Sequence, residues 1–196
     1  RPARKITPVD DPERQLGVDL LVRMAAGDEA ALAAFYQKFS PVLYGMALKI
    51  TMDEHEAEDV LQDAFIYIWR KAASYNSLLS SPFTWAVMIL RHKAIDRLRS
   101  RQRVEKMVAR AADAFAHDMD ADESSAEEPF FREQREIVRA ALGYLSDEQR
   151  QALDLAFFSG LTHEQIAAQL ATPLGTIKTR IRRALIQMRD LVGEAR

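Results

Sequence analysis

Cysteine is absent from this 196-residue chain, which excludes disulfides, thiolate zinc sites and a cysteine nucleophile. Imidazole is scarce: His55, His92, His117 and His163 stand far apart and offer no metal-ligand spacing. None of the 7 glycines belongs to a phosphate-cradling loop, and no nucleophile is paired with a base. The expectation is therefore a protein that is not an enzyme, with no cofactor and no small-molecule substrate. No uninterrupted apolar run approaches the length needed to span a bilayer. The opening Arg1 to Gln15 is charged and Pro-rich, without a signal-type apolar stretch, so a cytoplasmic chain with no membrane insertion is expected. Formal net charge is only -2, so any attraction to nucleic acid has to reside in local patches.

Strand signals are missing as well. Apolar residues recur at the 3.6-residue period along most of the chain, without alternating patterns or Asn-Gly hairpins, which predicts an all-α protein. Helix starts are written in capping chemistry. Asp28 precedes EAALAAFYQKF, Asp53 leads a D-x-x-E box with Glu56, and Ser81-Pro82 sets a cap before a first-turn proline. Ser146 with Gln149 and Thr162 with Gln165 fit the capping box, and Thr172-Pro173 fits a cap followed by proline.

Composition breaks once, between Ala111 and Pro129, where seven carboxylates occur with no Lys or Arg. Small residues and like charges bury too little surface to offset the entropy of ordering, so a flexible acidic linker is expected there. The resulting organisation is a disordered tail over 1–15, a helical domain over 16–103, the linker over 104–129 and a second small helical domain over 130–196.

Within the second domain, LTHEQIAAQLATPLGTIKTRIRRALIQMR has the length and punctuation of a helix-turn-helix. On its second helix Ile177, Ile181, Ala184, Leu185 and Met188 are expected to share the core face. Thr176, Thr179, Arg182 and Arg183 lie opposite, flanked by Lys178 and Arg180. No acidic residue interrupts this face between Leu174 and Arg189, as suits a helix lying in a major groove beside phosphates. A merely solvated helix face would normally mix both charges.

In the first domain, HEAEDVLQDAFIYIWRKA carries a core stripe of Ala57, Leu61, Ala64 and Ile68. Around its other side lie Asp59, Gln62, Asp63, Ile66 and Trp69. An acidic face that also carries large apolar groups suits a basic partner helix. Periodicity alone leaves it equally open that Ile66 and Trp69 belong to the core. An irregular stretch, Ser74 to Ser80, follows. Then comes PFTWAVMILRHKAIDRLRSRQR, apolar and aromatic at its start and strongly basic at its end. That gradient suits backbone contact near a place where bases leave the stack, with Trp85 and Ile89 read as core.

Taken in order, GDEAALAAFYQKF, AEDVLQDAF, FTW, IDRLR and the two-helix motif ending GTIKTRIRRAL resemble the extracytoplasmic-function sigma factors. The resemblance covers nearly everything except the tail and the linker. It implies a factor that binds core RNA polymerase and directs promoter recognition, promoter melting and transcription initiation, for a stress or envelope-response regulon. It implies that the helix around Glu58 to Arg70 binds the polymerase clamp, with Asp59, Gln62 and Asp63 on the contact face. The loop from Ser74 to Ser81 and the helix after it would recognise and melt the minus-ten element, through Tyr75, Asn76, Arg91, Lys93 and Arg97. Thr176, Lys178, Thr179, Arg180, Arg182 and Arg183 would read the upstream minus-thirty-five element. An anti-sigma factor is a further implied partner, and the acidic linker would run towards the RNA exit path. Leu78-Leu79 departs from the pattern, since that loop commonly carries small or polar residues.

Two other readings compete: a free-standing helix-turn-helix regulator, and a sigma mimic that titrates anti-sigma factors without binding DNA. The first needs no acidic clamp-type helix, and the second needs no intact basic recognition helix.

Overall fold

The computed structural model describes residues 12–109, 136 and 138–194. The chain divides into two compact units, Arg1–Asp122 and Glu123–Arg196. Among the described residues the first holds α1 (Pro12–Ala25), α2 (Glu29–Thr51), α3 (Glu54–Lys71) and α4 (Pro82–Ala109), with a 3-10 turn at Ala72–Ser74. The second holds α5, described over residues 138–143, then α6 (Asp147–Phe157), α7 (His163–Gln169) and α8 (Leu174–Glu194). Among the described residues no helix is long and apolar enough to cross a membrane.

The core of the first unit follows directly from helical spacing. Phe35, Phe39, Leu43, Ala47 and Ile50 bury one stripe of α2, and Ala57, Val60, Leu61, Ala64, Phe65 and Ile68 bury one stripe of α3. Ala86, Leu90 and Ala94 of α4 close over both, and Leu20, Leu21 and Met24 bring α1 against them. The Phe35 ring meets Phe39 at 4.5 Å and the edge of Phe65 at 6.2 Å, favourable tilted geometries for aromatic quadrupoles. Trp85 is half-buried, against the expectation that it is core.

Capping sets the boundaries. Asp28 accepts from the Ala30 and Ala31 amides and Asp53 from the Glu56 amide. Between these caps α2 ends on Met52, whose left-handed φ of 55° turns its N–H back to the Leu48 carbonyl. Asp28 is held below the ordinary carboxylate range, first by its hydrogen bond from Arg23. A depressed carboxylate pKa stabilises the fold above its unfolded value and is lost as pH falls through the folded one.

Two boundaries differ from the sequence expectation. The helix α1 begins at Pro12, inside the expected tail, because its first turn has tertiary partners: Glu13 pairs with Lys38, and Arg14 donates to the Ser77 carbonyl at 2.7 Å. Basic α4 runs on to Ala109, past the expected end of the domain at 103. The remainder of the expected linker, and residues 1–11, lie outside the described residues.

The two helical glycines of this unit respond oppositely to a methyl group. A Cβ on Gly17 of α1 would stand 2.9 Å from the Pro82 side chain at the start of α4, whereas one on Gly45 of α2 meets nothing within 4 Å. Overpacking costs about 1–3 kcal/mol against a propensity gain of about 1 kcal/mol. Gly17→Ala is therefore expected to lower the urea midpoint of the first unit, and Gly45→Ala to raise it. A Gly17→Ala chain at least as stable as wild type would mean that α1 does not seat against Pro82.

Candidate nucleic-acid and partner interfaces

In the second unit both capping boxes are complete. The Ser146 and Thr162 hydroxyls accept from the Gln149 and Gln165 amides, and each glutamine side chain returns to the capping residue's own N–H. Ile166 of α7 is fully buried with Ala152, Ile177 and Ile181, which fixes α7 against α8. The turn between them passes through Ala171 at a φ of 45°, a left-handed conformation that costs a residue with a Cβ about 1–2 kcal/mol. Thr172 does not cap α8 as its position before Pro173 suggested. Its hydroxyl turns back to the Leu170 carbonyl at 2.9 Å, and the Pro173 carbonyl takes the Thr176 and Ile177 amides instead.

The exposed face of α8 carries Thr176, Lys178, Thr179, Arg182 and Arg183. Arg180 is half-buried. With Ser146, Gln149, Gly175, Thr176, Thr179 and Arg183 it lines an open cleft between the start of α6 and the first turns of α8. Beside it, Glu148 is held below the usual carboxylate range, chiefly by the Ser146 hydroxyl and in lesser part by Arg180's charge. The Thr179 hydroxyl donates back to the Gly175 carbonyl at 2.8 Å, which leaves its lone pairs and methyl for an external contact. Leu185 is 54% exposed and does not join the core. The stripe of Ile177, Ile181 and Ala184 already fills the arc that α6 and α7 cover.

In the first unit Asp59, Gln62, Asp63 and Ile66 are all exposed on the outer side of α3, while Trp69 is half-buried. Asp59 is not alone there. Its carboxylate takes Arg97 Nη2 of α4 at 2.9 Å, while Glu56 reaches Arg97 Nε at 3.6 Å and Arg101 Nη1 at 3.1 Å. The Glu56 carboxylate is thus engaged across the helix pair, where sequence suggested a box that closes on Asp53. A residue expected to touch polymerase and one expected to touch DNA are each other's partners. Lys93 Nζ lies over the Tyr67 ring at 5.5 Å from its centroid, a favourable cation–π placement. Arg91 is half-buried, and burial first, then the like charge of Arg99, pulls its pKa down. Arginine nonetheless stays charged near neutrality.

The loop between α3 and α4 is braced from within. Tyr75 is half-buried, its hydroxyl donating to the Ser80 carbonyl at 2.8 Å and its ring 5.3 Å from that of Trp85. Burial pushes its phenol pKa up. Asn76 Oδ1 accepts from the Leu78 amide at 2.9 Å and the Asn76 carbonyl from the Leu79 amide at 3.1 Å. Of the groups read from sequence as suited to an unstacked base, the Tyr75 ring thus lies against Trp85 and the Asn76 side-chain oxygen is engaged inside the loop.

Sequence reasoning missed the pairing of Glu56 with Arg101, which it had read only as part of the basic end of the helix, and the contributions of Tyr67 and Arg14. Matching the Glu56–Asp59 spacing on α3 to the Arg97–Arg101 spacing on α4 would have found that pairing, since both pairs recur on one helical face.

The sequence matches sigma-70 region 2 over residues 35–104 and sigma-70 region 4 over residues 135–188. It is 33% identical over 176 residues to the ECF RNA polymerase sigma factor SigK of Mycolicibacterium vanbaalenii, covering 90% of this chain and 89% of that protein. The SigK of Mycobacterium tuberculosis strain H37Ra is 32% identical over 183 residues, 91% of this chain and 95% of its own. Among solved structures, Rhodobacter sphaeroides SigE in complex with the anti-sigma ChrR is 31% identical over 88% of this chain and 98% of that one, with a TM-score of 0.45.

The ionic lattice makes a quantitative prediction. The Glu56 side chain is 19% exposed and Asp59 62% exposed. Glu56→Ala should cost about 1–2 kcal/mol, since it takes the part-buried hydrogen-bond acceptor from Arg101 and leaves Arg97 with Asp59 as its carboxylate partner. Asp59→Ala should cost less than about 1 kcal/mol because solvent screens that pair. Urea unfolding of both variants checks the order, and equal losses would show that burial does not grade the lattice.

Proposed function

This chain belongs to the extracytoplasmic-function RNA polymerase sigma factors, and from that premise we propose which of its faces performs each part of initiation. The chain binds core RNA polymerase and directs promoter recognition, promoter melting and transcription initiation. The observation that carries the assignment of faces is the pairing of two chemically opposite surfaces on separate units. One is an acidic outer face on α3 with Ile66 exposed in it, and the other is an unbroken basic face on α8.

Gln62, Asp63 and Ile66 form the centre of the polymerase contact, with Asp59 at its edge beside Arg97 and Trp69 as its half-buried floor. An exposed apolar group amid carboxylates gives a partner helix both desolvated area and charge complementarity. On α8, Arg183, Thr179 and Thr176 face a base edge, whereas Lys178 and Arg182 meet phosphates. Arg180 is assigned to the groove wall, since it is half-buried along the cleft between the start of α6 and the first turns of α8. In the first unit Arg91 and Lys93 supply positive charge along α4, and Arg97 does so only where its carboxylate partners release it.

By this reading the domains divide as region 2 over 16–103 and region 4 over 130–196, extended by the observed helix bounds. The protein works in the cytoplasm without chemistry of its own. An anti-sigma factor is a fitting partner, and a stress or envelope response is the regulon class that the family supports.

Run-off transcription with purified core polymerase on genomic templates tests the whole reading. A free-standing regulator would yield no promoter-specific transcript from core enzyme. In the same assay, Gln62→Ala with Asp63→Ala is expected to weaken core pull-down while the circular-dichroism melt stays unchanged. Intact binding at equal stability would remove α3 from the polymerase interface.

Arg183→Ala and Arg180→Ala should separate on matched and scrambled upstream elements. The first is expected to lose about 1–3 kcal/mol of discrimination, the second to weaken all templates alike with a shallower salt dependence. Equal losses on every template would reduce Arg183 to a phosphate contact.

A further inference from the structure

Three cations of α4, Lys93, Arg97 and Arg101, stand at four-residue spacing, and all three engage side chains of α3. Residues so spaced form one row along a helix, so the row of α4 that faces α3 is spent inside the unit. Its members are not held equally. The pair of Arg101 with Glu56, at 3.1 Å, is part-buried. The pair of Arg97 with Asp59, at 2.9 Å, joins a side chain 45% exposed to one 62% exposed, and Arg97 reaches Glu56 only at 3.6 Å. Solvent screens the outer pair far more than the inner one. The lattice thus has a fixed end at Arg101 and an end at Asp59 that opens at small cost.

We propose that the Asp59–Arg97 pair is an autoinhibitory latch, which keeps Arg97 from DNA in the free chain and opens when core polymerase takes Asp59. The inference rests on the reading of α3 as the polymerase face and of Arg97 as a DNA contact, and deepens it by naming the regulation of that contact. Asp59 lies at the edge of the exposed face formed with Gln62, Asp63 and Ile66. A basic partner helix lying there brings a cation that competes with Arg97 for the same carboxylate. Glu56 stays with Arg101, so the interface of α3 with α4 survives the exchange. The released guanidinium keeps its charge near neutrality and gains most by meeting a phosphate. Both equilibria share one ion pair, so the coupling is reciprocal: DNA that takes Arg97 frees Asp59 for polymerase by the same factor. For a pair this exposed, that factor is about two- to fivefold.

The experiment follows the anisotropy of a labelled single-stranded oligonucleotide carrying the minus-ten element of a promoter found by run-off, with the full chain at low salt. Every protein carries Lys178→Ala, Arg182→Ala and Arg183→Ala, so that the basic face of α8 does not mask the first unit. In the free chain Asp59→Asn is expected to tighten binding about two- to fivefold. Asp63→Asn makes the same charge change one turn along the same face, at a carboxylate that holds no arginine among the described residues, and should tighten it by less. The gain from Asp59→Asn should vanish in an Arg97→Gln chain, and again under saturating core polymerase, where the latch is already open. Equal gains from the two aspartate variants would overturn the latch in favour of plain charge repulsion. A gain that survives Arg97→Gln, or that persists undiminished in the holoenzyme, would overturn it too, as would unchanged binding by Asp59→Asn. A wild-type chain that gives no promoter-specific transcript with core enzyme would instead refute the sigma reading, and the latch with it.

Discussion

Arg97, held between Glu56 and Asp59, ties the acidic helix of the first unit to its basic one. A helix has one circumference to divide. On α3 about a third of it goes to the core through Ala57, Leu61, Ala64 and Ile68, and a flank goes to the ion pairs with α4. Only what remains can face a partner. The same division governs α4, where Ala86, Leu90 and Ala94 turn inward and Arg97 and Arg101 turn to α3. The acidic face of α3 and the basic face of α4 are adjacent, and the ion pairs between them are built from their own charges.

Most of the architecture was legible because it is local. A capping box is decided within four residues, so Ser146 with Gln149 and Thr162 with Gln165 could be read from the chain, and both are found closed. Helical stripes are equally local, and those of α3 are buried where the period put them. What escaped was long-range. Residues 38 and 45 positions apart join Asp59 to Arg97 and Glu56 to Arg101, and no window of sequence contains both partners. Thr172 and Leu185 failed for a related reason. The turn geometry at Ala171 and the limited arc covered by α6 and α7 are properties of the assembled unit.

The candidate site shows the same pattern at finer grain. Five of the six α8 residues proposed from sequence for DNA, Thr176, Lys178, Thr179, Arg182 and Arg183, are exposed, and Arg180 is half-buried. Whether a given side chain is available depends on neighbours that the sequence does not place beside it. Arg180 is half-buried along the cleft beside α6, Lys93 lies over the Tyr67 ring, and the Tyr75 hydroxyl turns into its own loop.

Helix α7 has seven residues, fewer than an isolated helix needs to persist in water. It exists because the Thr162–Gln165 box closes its start and because Ile166 is buried against Ile177 of its longer neighbour. The cap and the burial act on the same short helix, one at its first turn and the other on its inner face. The geometry of the turn at Ala171 and the orientation of α8 are thus tied to the same buried residue that keeps α7 helical.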